Sequence, residues 1–316
     1  MALTLANAQQ LSQSKLVQTV IDEFRQSPLL DKLPFDNTVK PQGKSLAYVY
    51  NRVTTLPTAA ARAINADYTP QEAVTTQITA NLKIFGGSYQ IDRALRANEE
   101  QVVDLVMFEQ DQKIKATKAM FHDMFINGDS ALGAGTQFDG LDKILTGSST
   151  EIDPGAIALD SAANIKTNWE AFLYQFRKMR AVMDGAPTLY LMNSDMFAAM
   201  QVVLDLAGQN TSTKENYGSE VLQWGPSLLM ALGDRAGSSN PVIATNGATG
   251  ETDIFAVRLG MDGIHGISPE GNGIVNTYLP DFTRVEAVQT GAVEMIAAIA
   301  LKATRAAAVL RSIKIA

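Results

Sequence analysis

Side chains able to do covalent, redox or metal chemistry are few in this sequence, and their spacing decides what they could do. There is no cysteine, which excludes disulfides, thiolate metal sites, iron–sulfur clusters and cysteine nucleophiles. Two histidines exist, His122 and His265. Without a thiolate they cannot build the usual structural zinc site, and a histidine-plus-carboxylate site is only formally open. The plainer reading is a helix-surface His122 beside Phe121 and Asp123, and a loop His265 between Gly263 and Gly266. Gly43-Lys44-Ser45 matches the end of a phosphate-binding loop, but the glycine required five residues before Gly43 is Thr38. Gly133-Ala134-Gly135 lacks the third glycine of a dinucleotide fingerprint, Phe138 standing in its place, and follows a helical pattern where a strand is needed. Ser130 and Ser268 each follow a glycine by two residues, yet Leu132 and Glu270 occupy the position where a nucleophile elbow needs a second one. The carboxylate pairs Glu99 with Glu100 and Asp139 with Asp142 suit a helix start and a turn. No catalytic, cofactor or metal site is specified, and an enzyme survives only as a soluble α/β protein using Asp, Glu, Lys and Ser in an unrecognised arrangement.

Such residues would have to be positioned by a large scaffold. The chain has 316 residues, 46% hydrophobic and 19% charged, enough for a sizeable core in one elaborate domain or two intertwined ones. The net charge of -7 argues against a protein that grips nucleic acid along a basic face, while loose contact with DNA stays open. No apolar run reaches the roughly 18 residues of a membrane span, and the first residues lack the charged start and apolar core of a signal peptide, so a soluble protein retained in its cell is expected.

Leu16, Val17, Val20, Ile21 and Phe24 fall at helical spacing before Ser27-Pro28, and Leu29, Leu30, Leu33 and Phe35 follow in a proline-broken, greasy arm. That arm must lie on its own domain or on a neighbouring subunit. A period of two at Leu46, Tyr48 and Tyr50, and again from Ile78 to Ile84, predicts two strands joined by a connector from Val53 to Ala73, far longer than a hairpin turn. A two-stranded arm cannot build its own core and needs a partner. Asn98 to Ile126 predicts an uninterrupted helix roughly 40 Å long, capped by Asn98 with Gln101 three positions on and stopped by Asn127-Gly128. Further on, the pattern predicts a helix over Thr167–Met183 with a Thr167/Glu170 capping box, a strand over Thr188–Met192, and a helix from about Met196 to Ala207 capped by Asn193 to Asp195. It also predicts an exposed loop over Gln209–Glu220 and strands over Pro241–Thr245 and Ile254–Arg258. The Ala/Val/Ile-rich segment Val285–Ile315 suits long strands packed on the long helix, although its alanines would also suit a helix.

The order of these elements, with Phe125-Ile126-Asn127-Gly128-Asp129 ending the long helix, then Phe138-Asp139-Gly140-Leu141, and Arg305-Ala306-Ala307-Ala308-Val309-Leu310 near the end, resembles the major capsid protein of tailed double-stranded DNA bacteriophages. The resemblance covers nearly the whole chain. It implies an α+β, Hong Kong 97-like capsid fold with an N-arm at 1–41, an E-loop at 42–92, a peripheral domain at 93–146 and 280–316 with the long helix as its spine, and an axial domain at 147–279. The implied function is a structural subunit of pentamers and hexamers in an icosahedral shell around packaged double-stranded DNA, located in the virion capsid and assembled in the host bacterial cytoplasm. No cofactor is implied. The partners the resemblance implies are further copies of itself, separate scaffolding, portal and decoration proteins, and packaged DNA touched non-specifically, with no membrane.

Candidate intersubunit contacts are Phe24, Leu29, Leu30 and Phe35 of the arm, Arg52, Arg62, Asp67 and Glu72 of the hairpin excursion, and Lys214, Glu215 and Tyr217 of the 209–220 loop, which would line the capsomer axis. Some members of the family join an E-loop lysine to a neighbour's asparagine. The connector here has no lysine, so no such crosslink is expected, and stability would come from arm and E-loop burial above all, with ionic contacts of Arg52, Arg62, Asp67 and Glu72 or a decoration protein as alternatives. The sequence begins almost at the arm, which implies a separate scaffolding protein or none. An encapsulin, a bacterial nanocompartment of the same fold enclosing a cargo enzyme, is the alternative, and the long connector and arm favour the phage reading.

Overall fold

The computed structural model describes residues 29–39, 46–94, 105–209, 211–214, 220–270 and 274–316. The expected N-terminal helix with Phe24, the Asn98 cap, Glu99, Glu100, Glu215 and Tyr217 lie outside these. A short helix α1 (Leu29–Lys32) leads into β1 (Phe35–Val39), and β2 (Ala47–Thr55) pairs antiparallel with β3 (Val74–Asn81) as a two-stranded sheet. After Leu82 the chain continues as β4 (Lys83–Asp92) and then as the long helix α2 (Leu105–Asn127). α3 (Leu141–Leu145), β5 (Glu151–Ile152) and β6 (Ile157–Ala158) precede α4 (Ala162–Val182), β7 (Leu189–Met192) and α5 (Ser194–Leu206). Then come β8 (Thr211–Lys214), β9 (Glu220–Trp224), β10 (Ser227–Ala231), β11 (Glu251–Val257), β12 (Ile264–Pro269), β13 (Val275–Tyr278), β14 (Val288–Leu301) and β15 (Ala307–Lys314).

Two larger sheets organise the molecule. In the first, β12 pairs with β1 and with the end of β14, which also pairs with β13 and, along Val288–Ala297, with β4. In the second, the order is β5-β15-β11-β7-β10-β9-β8, with β6 also on β15. Period two sorts the second sheet's side chains into two cores: Leu189, Leu191, Phe255, Val257 and Val309 enter one, and Tyr190, Met192, Ile254, Ala256 and Leu310 enter the other. The first core holds Phe85, Phe121, Phe125 and Phe138 around α2, and the second holds Phe172, Phe176 and Trp224 under α4 and α5. Burial on both faces explains why these strands read as continuous apolar runs.

The two short motifs around α2 meet in space. A Cβ on Gly128 would stand 2.3 Å from the Phe138 carbonyl oxygen, and one on Gly140 would stand 2.5 Å from that of Ile126, so both positions need glycine for backbone-to-backbone approach. The Gly140 N–H donates to Gly128 O at 2.7 Å. Lys143 Nζ bridges Asp129 (2.5 Å) and Asp139 (2.7 Å), and this ammonium holds Asp129 below the usual carboxylate range. Asp142 instead pairs with Arg311, which also binds Glu151 and Asp253 and so ties β15 to α3, β5 and β11.

Several local expectations are corrected. α4 starts at Ala162 because Ser161 accepts from the Asn164 N–H, while Thr167 lies inside the helix and donates to Ala163 O. Residues 211–214, expected in a loop, pair as β8 with residues 220–223 of β9, and their backbone groups satisfy each other. Pro241–Thr245 is no strand: Pro241 makes an isolated bridge with Asp234, and Val242 bonds to Gly233 and Asn127. Val285–Ile315 does hold long strands, β14 in the first sheet with β12 and β13, and β15 in the second. His122 is buried on α2, and His265 is a fully buried member of β12, neither on a helix surface nor in a loop.

Candidate assembly surface

β2 alternates half-buried Tyr48, Tyr50 and Arg52 with exposed Val49, Asn51 and Val53. The inner row lies over the junction of β12 and β14. Tyr48 Oη donates to Asp36 Oδ2 at 2.9 Å, Tyr50 Oη donates to Leu301 O at 2.9 Å, and the Arg52 guanidinium donates to Lys302 O at 2.9 Å and to Leu301 O. Burial raises the Tyr50 phenol, which stays a neutral donor. Burial also pushes Asp36 up, but hydrogen bonds from Thr38 and Tyr48 and the nearby His265 and Lys302 outweigh it and hold its carboxyl low. Between the hairpin and the core lies a cleft of about 210 Å³ lined by Tyr50, Arg52, Ile78, Lys83, Asp139 and Leu301, among others.

Beyond Arg52 this support ends. Every residue from 53 to 77 is exposed, including Leu56 (76%), Ile64 (92%) and Tyr68 (63%). The tip's cohesion is local: the Thr58 amide donates to Gln71 Oε1, and Arg62 stacks over Tyr68 at 5.4 Å while donating to Ala66 O. Full burial of each large apolar side chain elsewhere would release about 1.5–3 kcal/mol, which this chain leaves unclaimed.

The sequence-derived candidates therefore divide. Arg62, Asp67 and Glu72 lie in the exposed connector, and Arg52 braces its root. Leu29 and Leu30 are buried in the chain's own first core, and Phe35 packs on Phe121 with ring centroids 6.1 Å apart. Lys214 ends β8. Tyr48, Tyr50, Leu56, Ile64 and Tyr68 were missed, although the alternation of Tyr48, Tyr50 and Arg52 already put them on one face. Among the described residues, no group of three His, Cys, Asp or Glu side chains could hold a metal ion, and no helix is long and apolar enough to cross a membrane.

No family model and no curated protein matches this sequence. Solved structures do match. The chain is similar to a chain of the holo-SrpI encapsulin complex from Synechococcus elongatus PCC 7942, with a TM-score of 0.66 and 14% identity over 100% of this chain and 97% of that one. It is similar to a chain from Gordonia phage Cozz (TM-score 0.60, 13% identity, 97% and 93% covered) and to the capsid of Myoviridae phage XM1 (0.58, 10%, 94% and 95%). The architecture is the α+β, Hong Kong 97-like capsid fold.

Proposed function

We propose that this chain is the subunit of a self-assembling shell, a major capsid protein whose pentamers and hexamers close an icosahedron around packaged double-stranded DNA in a virion built in the bacterial cytoplasm. The observation that carries this reading is the hairpin, which leaves its whole distal half, Leu56, Ile64 and Tyr68 included, without cover on a fold shared end to end with shell proteins. In this reading residues 1–41 are the N-arm, 42–92 the E-loop laid over a neighbour, 93–146 and 280–316 the peripheral domain with α2 as spine, and 147–279 the axial domain. Residues 209–220 then approach the capsomer axis, and scaffolding, portal and decoration proteins are further partners.

A second reading, a nanocompartment shell around a cargo protein, is favoured by the full-length likeness to the SrpI encapsulin. Size-exclusion chromatography followed by negative-stain microscopy tests both. Shells, tubes or five- and six-membered rings support a shell, and enclosed nucleic acid or enclosed protein selects between the two readings. A stable monomer or dimer at every salt, pH and scaffold condition would return the chain to the enzyme class. Since the connector has no lysine, boiling the particles in detergent should release one 34.0 kDa band, and a covalent ladder would overturn that expectation.

A further inference from the structure

The root of the hairpin holds a group that the shell reading leaves unused. His265 is fully buried on β12, and among the described residues neither ring nitrogen makes a hydrogen bond of ordinary geometry, although the Gly260 backbone lies close enough to favour its protonated form. Three segments meet around it. Tyr48 of β2 sets its ring edge-on at a centroid distance of 5.8 Å, and the same tyrosine donates to Asp36 of β1. Lys302, just beyond β14, places its Nζ 5.5 Å from the centre of the Tyr48 ring. One carboxylate and one ammonium thus face the imidazole, and the bond tethering the hairpin to β1 ends on that carboxylate. The nearby Arg52 and Tyr50 are committed to the carbonyls of Leu301 and Lys302.

We propose that His265 is an acid-sensitive latch: neutral, it packs under Tyr48 and holds the hairpin in one orientation, and protonated, it releases the hairpin root. An imidazolium carries two N–H donors and a charge, and the Gly260 backbone and Asp36 offset their burial only in part. The carboxylate facing it is Asp36, which must turn away from Tyr48 to serve it, or else the root must open to admit water. Either route removes the Tyr48 tether. Burial and Lys302 lower the affinity of His265 for a proton, and Asp36 and the Gly260 backbone oppose them without prevailing. The closed root therefore binds a proton more weakly than the open one. Its stability is complete above the ordinary histidine value of about 6.5 and falls as pH drops from there toward the lowered value, by up to about tenfold in the opening equilibrium per pH unit. Asp36, held low, stays ionised through that window.

The other histidine must be kept apart from this effect. His122 on α2 is buried, its Nε2 without a partner among the described residues, and burial and the Lys118 cation push it down to about 4. Its protonation would loosen α2, not the hairpin, so a local readout separates the two.

The consequence for assembly rests on the hairpin being an intersubunit arm, but the latch itself does not. The test is hydrogen exchange by mass spectrometry on the full chain, free subunits and particles separately, at pH 7.5 and 5.5 with the intrinsic rate difference removed. Peptides covering β2 and β3 should lose about tenfold in protection at the lower pH relative to β7 and β11. In His265→Phe that difference should vanish, and in Lys302→Met, where the closed-state imidazole returns toward its ordinary proton affinity, the loss at pH 5.5 should shrink. Equal protection at both pH values in the wild type, or an unchanged response in His265→Phe, overturns the latch. Should His265→Phe fail to fold, Lys302→Met decides alone, an undiminished loss of protection at pH 5.5 refuting the proposal. Failure to form particles beside an intact latch would instead count against the shell reading.

Discussion

The β2–β3 hairpin and the eight-stranded sheet satisfy their backbones equally well and their side chains very differently. In the sheet, all four residues of β7 are buried, because α4 and α5 cover one face and the α2 core covers the other. In the hairpin, the ladder runs in register from Ala47 opposite Asn81 to Val53 opposite Thr75, yet the side chains find cover only at the root. Hydrogen bonds make a strand pair possible, while apolar burial makes it independently stable, and a two-stranded ribbon has too little of the second. The difference separates a sheet whose side chains this chain covers itself from a hairpin whose side chains it leaves largely uncovered.

The largest effect that would sharpen this contrast is expected in the second core. Phe176 is fully buried, 4.5 Å from the Tyr190 ring and 5.0 Å from Trp224, so Phe176→Ala should cost about 3–5 kcal/mol of global stability in urea denaturation. A loss below 1 kcal/mol would show that the core repacks around the gap and that the contrast is overdrawn. Next comes the root. Arg52→Ala removes charged donors from the Leu301 and Lys302 carbonyls at a half-buried position, and should cost about 1–2 kcal/mol. That loss should be confined to hairpin amides in hydrogen exchange. If it instead matched Phe176→Ala in global unfolding, the hairpin would be part of the core it is contrasted with.

What could be read from sequence follows the same division. Asn193 caps α5 by accepting from the Met196 N–H, Gly128 stops α2, and the alternation of Tyr48 and Tyr50 marks β2, because each signal and its effect lie within a few residues. Pairing across the chain left no such local trace. Nothing within Ala307–Lys314 says that it joins β11 in the second sheet while Val288–Leu301 joins β4 in the first. Burial of His122 and His265 is likewise a property of what packs over them from distant segments, as with Tyr48 over His265. For the candidate surface, the exposed connector with Arg62, Asp67 and Glu72 was legible from its length and polarity. The apolar arm was not, since Leu29 and Leu30 satisfy an internal core as readily as a neighbour.

The smallest effect on the subunit is the most informative about the hairpin. Ile64 is 92% exposed at the tip, so Ile64→Ser removes almost no contact within the chain and should leave its denaturation midpoint unchanged to within about 0.5 kcal/mol. If the tip is covered by another subunit, the same change forfeits up to about 1.5–3 kcal/mol at each repeat of that contact, and the concentration needed for assembly should rise by about tenfold or more. Light scattering across a concentration series of both proteins measures it. Equal assembly thresholds would mean that the tip stays in solvent within the particle, leaving the root contacts of Tyr48, Tyr50 and Arg52 to act inside one chain alone. A raised threshold with an unchanged midpoint would separate folding from assembly at a single residue, because a side chain that contributes nothing to the first can affect the second only through a neighbour.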